Sequence, residues 1–173
     1  MENKVLKKEK QDLKERVKKV VSENEEGDKQ ELIDSLIGSE PLVEPCKEDY
    51  DSTSIIREEM AEIAGYRVFL LKEILSLEKD MTRILSKIRQ NRHDICQYLI
   101  DYEIEPQKVS HDVAQELTLK QVELDKIVFA RQKRIDKIQD KADEYRIHYS
   151  HLVSILSSFL DAEYLEKKER KDG

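Results

Sequence analysis

Apolar residues repeat with a seven-residue period over two long stretches of the chain. In the first stretch, from residue 54 to about residue 102, twelve of the fourteen positions on two heptad lines are apolar or aromatic. In the second stretch, from about residue 112 to residue 165, eleven of fourteen are. This period is typical of helices that pack along a shared seam. The pattern therefore predicts two long amphipathic helices.

The residues between these stretches predict a turn. Pro106 lies there, and proline interrupts a helix because it has no backbone N–H and its ring clashes with the preceding turn. Ser110 and Asp112 are suitable N-caps for a second helix. Two helices of similar length that are joined by a short turn form an antiparallel hairpin. The predicted fold class is all-α, a long antiparallel coiled-coil hairpin over residues 54–165 with its turn at 103–111.

Apolar heptad positions define the predicted seam of this hairpin. They are Ile63, Leu70, Ile74, Leu77, Met81, Ile84, Ile88, Ile95, Leu117, Leu124, Val128, Ile135, Ile138, Leu152 and Leu156. Leu71, Leu85 and Leu99 widen the apolar stripe of the first helix beyond this seam. One hairpin would leave that extra width in water, so the pattern predicts a homodimer in which two hairpins pair as a four-helix bundle.

Two polar residues, Arg67 and Asn91, occupy seam positions of the first helix. A buried asparagine in a seam can fix the register or the oligomeric state at some cost in stability. The other interpretation is that Asn91 marks a local irregularity and that Arg67 extends its charged end to the edge of the seam. The sequence leaves both interpretations open.

Two segments of opposite charge precede the hairpin. Residues 1–22 carry eight basic and four acidic side chains, a net charge of +4, and are predicted to form a charged helix or arm. Residues 23–53 carry two basic and eleven acidic side chains, a net charge of −9, and are predicted to form an acidic linker that contains a short amphipathic helix at 29–37. At the other end of the chain, residues 166–173 are predicted to be a disordered tail.

The short helix has one apolar face, formed by Leu32, Ile33, Leu36 and Ile37. An amphipathic helix of this kind can dock into the groove of a partner protein, so these four residues are a candidate docking motif. The alternative is that the helix folds back onto its own bundle.

The candidate chemistry of the chain is sparse. No two of the four glycines lie within ten residues of each other, which excludes a glycine-rich phosphate loop. His148 and His151 lie three residues apart, but Glu144 is the only carboxylate close to them in the sequence. We therefore expect no metal site, no cofactor and no enzymatic activity.

Charge and cysteine content limit the expected partners and the location. The net charge is −7, and the acidic segment would repel nucleic acid and anionic membrane, so neither is an expected partner. Cys46 and Cys96 lie 50 residues apart and no secretion signal is visible, so we expect reduced thiols in a cytoplasmic or nuclear protein.

The turn and its flanking helices resemble a known family. Residues 95–106 read Ile-Cys-Gln-Tyr-Leu-Ile-Asp-Tyr-Glu-Ile-Glu-Pro, and a long helix rich in Gln, Lys, Arg and Glu follows. This region is similar to the N-terminal rod of the antiparallel-microtubule bundlers, the protein regulator of cytokinesis and anaphase spindle elongation family. Leu99, Ile104, Glu105 and Pro106 match the family's turn, while Asp101–Tyr102 stand where the family prefers Glu–Leu. The resemblance covers roughly residues 54–160.

The resemblance implies a role in the spindle midzone. Rods of this family dimerise through N-terminal hairpins, and their ends dock partners such as a kinesin or another midzone protein. Microtubule contact belongs to a later spectrin-like domain, so weak or no direct microtubule binding is expected of these residues. The rival hypothesis is a coiled-coil scaffold subunit of a kinetochore, tethering or trafficking complex.

Overall fold

The computed structural model describes residues 11–12, 15–16 and 26–173. Over residues 26–173 it contains helices α1 (Glu26–Ile37), α2 (Thr53–Ile104) and α3 (His111–Asp172), with 3-10 turns at Lys47–Asp49 and Pro106–Lys108. No strand occurs among the described residues. Residues 11–12 and 15–16 are helical, and the remainder of the predicted arm at 1–22 lies outside the described residues, as do residues 23–25 of the predicted linker.

Helices α2 and α3 run antiparallel, as pairs of residues across the hairpin show. Glu59 pairs with His148, and further along α2 Asp80 lies beside Arg131. Asn91, later still on α2, contacts Gln121. Residue numbers rise on α2 as they fall on α3, so the two chains run in opposite directions. The predicted all-α hairpin is confirmed.

The ends of the helices differ from the predicted ones in two places. Helix α1 begins at Glu26 rather than at residue 29, and Asp28 places acidic charge in its first turn, where the helix dipole favours it. Helix α3 continues to Asp172, so residues 166–172 of the predicted disordered tail are helical instead. The reason is that no glycine or proline lies between His111 and Asp172, and Glu166 stands four residues before Arg170, a spacing that supports helix.

The chain divides into two compact units. Unit 1 comprises the residues up to Leu71 together with Ile138–Gly173, and unit 2 comprises Lys72–Lys137. Unit 1 therefore holds α1, the first part of α2 and the last part of α3, whereas unit 2 holds the remaining parts of α2 and α3 and the turn between them.

The core of unit 1 combines seam residues with residues from outside the seam. Leu32, Ile33 and Leu36 of α1 are fully buried. Tyr66 and Phe69 of α2 are also buried, although neither belongs to the predicted seam. Burying one such aliphatic or aromatic side chain contributes about 1.5–3 kcal/mol. The apolar face of α1 is thus part of the hydrophobic core.

The core of unit 2 is smaller and follows the seam. Its buried apolar side chains are Ile74, Ile88, Leu124 and Ile135, and Asn91 is buried with them. The amide nitrogen of Asn91 donates to the Leu117 carbonyl oxygen at 3.1 Å and to Oε1 of Gln121 at 3.0 Å. Because Leu117 and Gln121 lie on the opposite helix, these bonds support the interpretation of Asn91 as a residue that fixes the register of the two helices.

No helix in the described part of the chain is long and apolar enough to span a membrane.

Replacing Asn91 tests its part in the hairpin. We expect Asn91→Ala to lower the free energy of unfolding by about 1–3 kcal/mol, because it removes two hydrogen bonds and leaves a half-buried acceptor on α3 without this donor. Gln90→Ala is the matched control, because the exposed Gln90 side chain bonds only within its own helix, to Asp94. It should lower the free energy of unfolding far less. Urea unfolding followed by circular dichroism measures both. Equal losses in the two variants would contradict the assigned role.

Candidate functional site

An irregular segment, residues 39–50, connects α1 to α2 in unit 1, and we call it the strap. Its backbone is held by α3: Nζ of Lys141 lies 3.5 Å from the Ser39 carbonyl oxygen and 3.4 Å from that of Glu40. The Lys141 side chain is only 5% exposed and pairs with Glu144 at 3.0 Å. Glu144 in turn accepts a hydrogen bond from the backbone N–H of Leu42. One buried ion pair therefore anchors the first half of the strap.

The second half of the strap contacts α3 closer to its C-terminus. Nζ of Lys47 donates to the Ser158 hydroxyl at 3.0 Å and lies 5.1 Å from the centre of the Phe159 ring. Tyr50, at the end of the strap, donates its hydroxyl to Glu59 of α2. Glu59 also lies 3.1 Å from the ring nitrogen of the buried His148. The strap is thereby joined to both long helices.

Three tyrosines of unit 1 have raised pKa values. Burial is the largest cause of the raised pKa at each of them. The next cause is a hydrogen bond to a carboxylate, from Tyr50 to Glu59 and from Tyr66 to Glu62 at 2.6 Å. A carboxylate acceptor favours the protonated phenol and so raises its pKa. Burial and the charge of Glu144 likewise raise the pKa of Tyr145, against a lowering by its bond to Ser39. The phenols of Tyr50 and Tyr66 therefore act as neutral hydrogen-bond donors to carboxylates.

The structure places the predicted docking residues inside unit 1. Leu32, Ile33 and Leu36 are fully buried and Ile37 is half-buried. The hypothesis that this face docks a partner is therefore corrected in favour of the alternative, in which α1 folds back onto its own bundle. The physical reason is that the hairpin of unit 1 offers the same chain an apolar surface that it can cover.

None of the fifteen predicted seam residues is exposed. Eight are buried: Ile63, Leu70, Ile74, Ile88, Leu124, Ile135, Ile138 and Leu152. The other seven are half-buried: Leu77, Met81, Ile84, Ile95, Leu117, Val128 and Leu156. The half-buried set includes most of the seam around the middle of α2, where two helices alone shield a side chain incompletely.

Large apolar side chains remain exposed in unit 2, and we call this set the unit 2 apolar surface. Its members are Leu75, Leu85, Leu99, Ile100, Ile104, Val113, Leu119, Val122, Ile127 and Phe129. Leu119, Val122 and Phe129 are spaced three and seven residues apart on α3 and so share one face. Leu119 is 64% and Phe129 62% exposed. Contiguous apolar patches on protein surfaces are typical of interaction sites.

The two histidines turn to different carboxylates. His148 lies 3.1 Å from Oε1 of Glu59, and Nε2 of His151 lies 3.9 Å from Oε1 of Glu44. Each carboxylate lies about 90 to 110 residues from its histidine in the sequence. Sequence proximity alone therefore suggested Glu144 as the nearby carboxylate and could not identify Glu59 or Glu44. Within residues 11–12, 15–16 and 26–173, no cluster of three or more His, Cys, Asp or Glu side chains forms a metal site.

Comparison with known proteins returns no match. No model of a protein family fits the chain, and no curated protein and no solved structure is significantly similar to it.

The buried tyrosines predict a loss of stability in alkaline solution. An unfolded tyrosine ionises near pH 10, whereas the folded pKa is higher, so above pH 10 the unfolded state binds fewer protons and the free energy of unfolding falls as pH rises. The slope is about 1.4 kcal/mol per pH unit for each tyrosine affected. Tyr66→Phe should lower the free energy of unfolding by about 0.5–1.5 kcal/mol at pH 7. Above pH 10 it should make the fall of that free energy with pH shallower by about 1.4 kcal/mol per pH unit, which is the contribution of one tyrosine.

Urea unfolding at pH values from 8 to about 11 measures this slope. Tyr164→Phe is the control, because Tyr164 is 68% exposed and should leave the slope unchanged. A Tyr66→Phe slope as steep as that of the wild type would show that Tyr66 ionises alike in both states.

Proposed function

We propose that this chain is a non-enzymatic protein-interaction module that forms a homodimer through the unit 2 apolar surface. The observation that carries the proposal is the exposure of Leu75, Leu119 and Phe129 in a unit whose own core holds few apolar side chains. Two copies that meet through this surface would bury apolar area that each leaves in water. Such burial drives most protein association.

The spacing of the exposed residues supports a second layer of helix packing. Leu85 and Leu99 lie fourteen residues apart on α2, two heptads, and Val122 and Phe129 lie seven apart on α3. Heptad spacing on an outer face is the pattern that a further helix needs in order to pack along it. In a four-helix bundle formed from two hairpins, the outer apolar faces of α2 and α3 would both be covered.

The charged neighbours of this surface suit an interface rim. Nζ of Lys133 lies 4.5 Å from the centre of the Phe129 ring, a cation–π contact that shields part of the ring. Lys126 stands between Val122 and Phe129 on the same face. Long basic side chains of this kind can move outward and cover the edge of an apolar contact.

The cellular setting that we propose is the microtubule cytoskeleton of dividing cells. The support is the resemblance of Leu99, Ile104, Glu105 and Pro106 to the turn of the midzone bundling family, at a place where α2 ends at Ile104 and Pro106 begins a 3-10 turn. The second candidate is a scaffold subunit of a kinetochore, tethering or trafficking complex, which the same exposed surface would serve.

Light scattering tests the dimer. We expect the wild-type chain to have twice its monomer mass of 20.4 kDa. Phe129→Asp should yield a monomer with unchanged helical content, because the position is exposed in the single chain and a charge there would be buried only in the dimer. Gln132→Asp, exposed on the same helix, is the matched control and should remain a dimer. A wild-type monomer at tens of micromolar would refute the proposal.

A substitution in the seam should behave differently from one on the surface. Ile135 is buried within unit 2, so Ile135→Asp should lower both the helical content and the mass. Burying an unpaired carboxylate costs several kcal/mol, more than a core of this size tolerates. Circular dichroism and light scattering on the same samples separate the two classes, and a helical monomer from Ile135→Asp would contradict the assignment of the seam.

Microtubule co-sedimentation tests the proposed setting. Direct binding by this chain should be weak at physiological salt, because residues 23–53 carry a net charge of −9 and tubulin is acidic. The basic residues 1–22 offer a net charge of only +4, and at that salt the Debye length is about 8 Å. Tight, saturable sedimentation would show that the chain itself contains a tubulin site. A Lys-to-Gln variant of residues 4–19 would then identify whether the basic residues form it.

A further inference from the structure

Several exposed residues of unit 2 lie on one side of the hairpin, and we call this side the open face. Each directly follows a seam position: Leu75 follows Ile74, Leu85 follows Ile84, Val122 follows Gln121 and Phe129 follows Val128. In two antiparallel helices, residues one place after a seam position lie on the same side of both helices. All four apolar residues are exposed. The open face is therefore a part of the unit 2 apolar surface to which both helices contribute.

Charges on the open face of α2 are arranged symmetrically about Leu85. Glu78 stands seven residues before Leu85 and Arg92 stands seven residues after it, so all three lie on one heptad line. Both charged side chains are exposed, and no ion pair among residues 26–173 contains either of them. They are 14 residues apart, about 21 Å along the helix, so they cannot pair within one chain. When it is reversed about Leu85, this line is complementary in charge to itself.

The register of the hairpin determines which part of α3 lies level with Leu85. Nη1 of Arg131 lies 3.4 Å from Oδ2 of Asp80, and the amide nitrogen of Asn91 lies 3.0 Å from Oε1 of Gln121. Leu85 lies about midway between Asp80 and Asn91 on α2. It is therefore level with the middle of the α3 segment from Gln121 to Arg131, which is close to residues 125 and 126.

The open face of α3 is centred at this same level. The midpoint between Val122 and Phe129 falls between residues 125 and 126. A second α3 that runs antiparallel about this point would place each Val122 against the Phe129 of the other copy and would bring Asp125 close to the other Lys126. One two-fold axis at the level of Leu85 therefore matches α2 with α2 and α3 with α3.

We propose that two copies of the chain meet through their open faces about a two-fold axis at Leu85, with Glu78 of each copy paired with Arg92 of the other. This inference rests on the dimer proposed for unit 2 and specifies its orientation. The apolar residues supply the contact area, and the two reciprocal ion pairs select the antiparallel arrangement. A parallel pairing of the same faces would bring Glu78 against Glu78 and Arg92 against Arg92, and that repulsion disfavours it.

Charge reversal tests the reciprocal pairs. Glu78→Arg alone places two arginines together at both ends of the contact, and Arg92→Glu alone places two glutamates together. We expect each variant to raise the dissociation constant of the dimer about 10-fold, because two weak attractions become repulsions. An equimolar mixture of the two variants has opposite charges at both ends again, so it should form a heterodimer about as tight as the wild-type dimer. Light scattering over a dilution series measures all three samples.

Lys87→Glu is the matched control for these reversals. Lys87 is exposed and lies two residues from Leu85, about 200° around the helix, so it is away from the open face. Its reversal changes the net charge as Arg92→Glu does, and it should leave the dissociation constant at the wild-type value.

Cross-linking tests the position of the axis. On a two-fold axis each Leu85 lies beside the Leu85 of the other copy. With Cys46 and Cys96 replaced by serine, Leu85→Cys should give a covalent dimer with a short bismaleimide. Lys87→Cys in the same background should not, because its side chain lies on the other side of α2.

Light scattering of the wild type separates this inference from the dimer on which it rests. A wild-type dimer whose charge variants are as tight as the control, or are not restored by mixing, would overturn the orientation and leave the unit 2 dimer in place. A dimer cross-linked through Lys87→Cys and not through Leu85→Cys would do the same. A monomeric wild type would overturn both proposals. Circular dichroism checks that each variant keeps its helical content, so that a fall in mass reports dissociation.

Discussion

A helix in a two-helix hairpin can bury only the stripe that faces the other helix, and both long helices of this protein carry apolar residues outside that stripe. Unit 1 meets this constraint within the chain, because α1 adds Leu32, Ile33 and Leu36 to the core and Tyr66 and Phe69 are buried outside the seam. In unit 2, apolar residues that also lie outside the seam, such as Leu119 and Phe129, stay exposed. The same constraint is therefore met in part by α1 in unit 1, whereas no third helix of the described residues adds to the core of unit 2.

Two polar residues of the seams, Asn91 and Arg131, have partners across the hairpin. Asn91 interrupts one heptad and bonds to Gln121, which interrupts the other, and Arg131 lies beside Asp80. Such pairs contribute little net stability, but in a shifted register the same groups would be buried without partners, at a cost of about 1–3 kcal/mol each. Polar pairing therefore favours one register over those that apolar contacts alone would allow. The matching is incomplete, because Nε of Arg67, Nε of Arg131 and Oδ1 of Asn91 are buried without a hydrogen-bond partner among the described residues.

Heptad spacing was sufficient to predict the hairpin, the turn at Pro106 and a seam without exposed members, because each of these depends on local periodicity. Periodicity could not predict the contacts of the strap. Lys141 meets Ser39, and Lys47 meets Ser158, across more than 100 residues, and such polar contacts leave no repeating signature. The same limit explains the docking hypothesis for Leu32 and Leu36, since an amphipathic face looks alike whether its own chain or a partner covers it.

In unit 2 the buried core residues and the exposed residues of the proposed dimer surface are different sets. Four buried apolar side chains and the Asn91 bonds are a small core for two helices, and most of the remaining apolar surface is exposed. A partner that binds only the folded hairpin stabilises it by mass action, so the stability of such a unit rises with the concentration of whatever covers it. Unit 1, with α1 and the strap held by Lys141 and Glu144, already has its covering element in the chain. In the proposed dimer, association would cover the apolar surface of unit 2, whereas unit 1 holds its third helix within the chain.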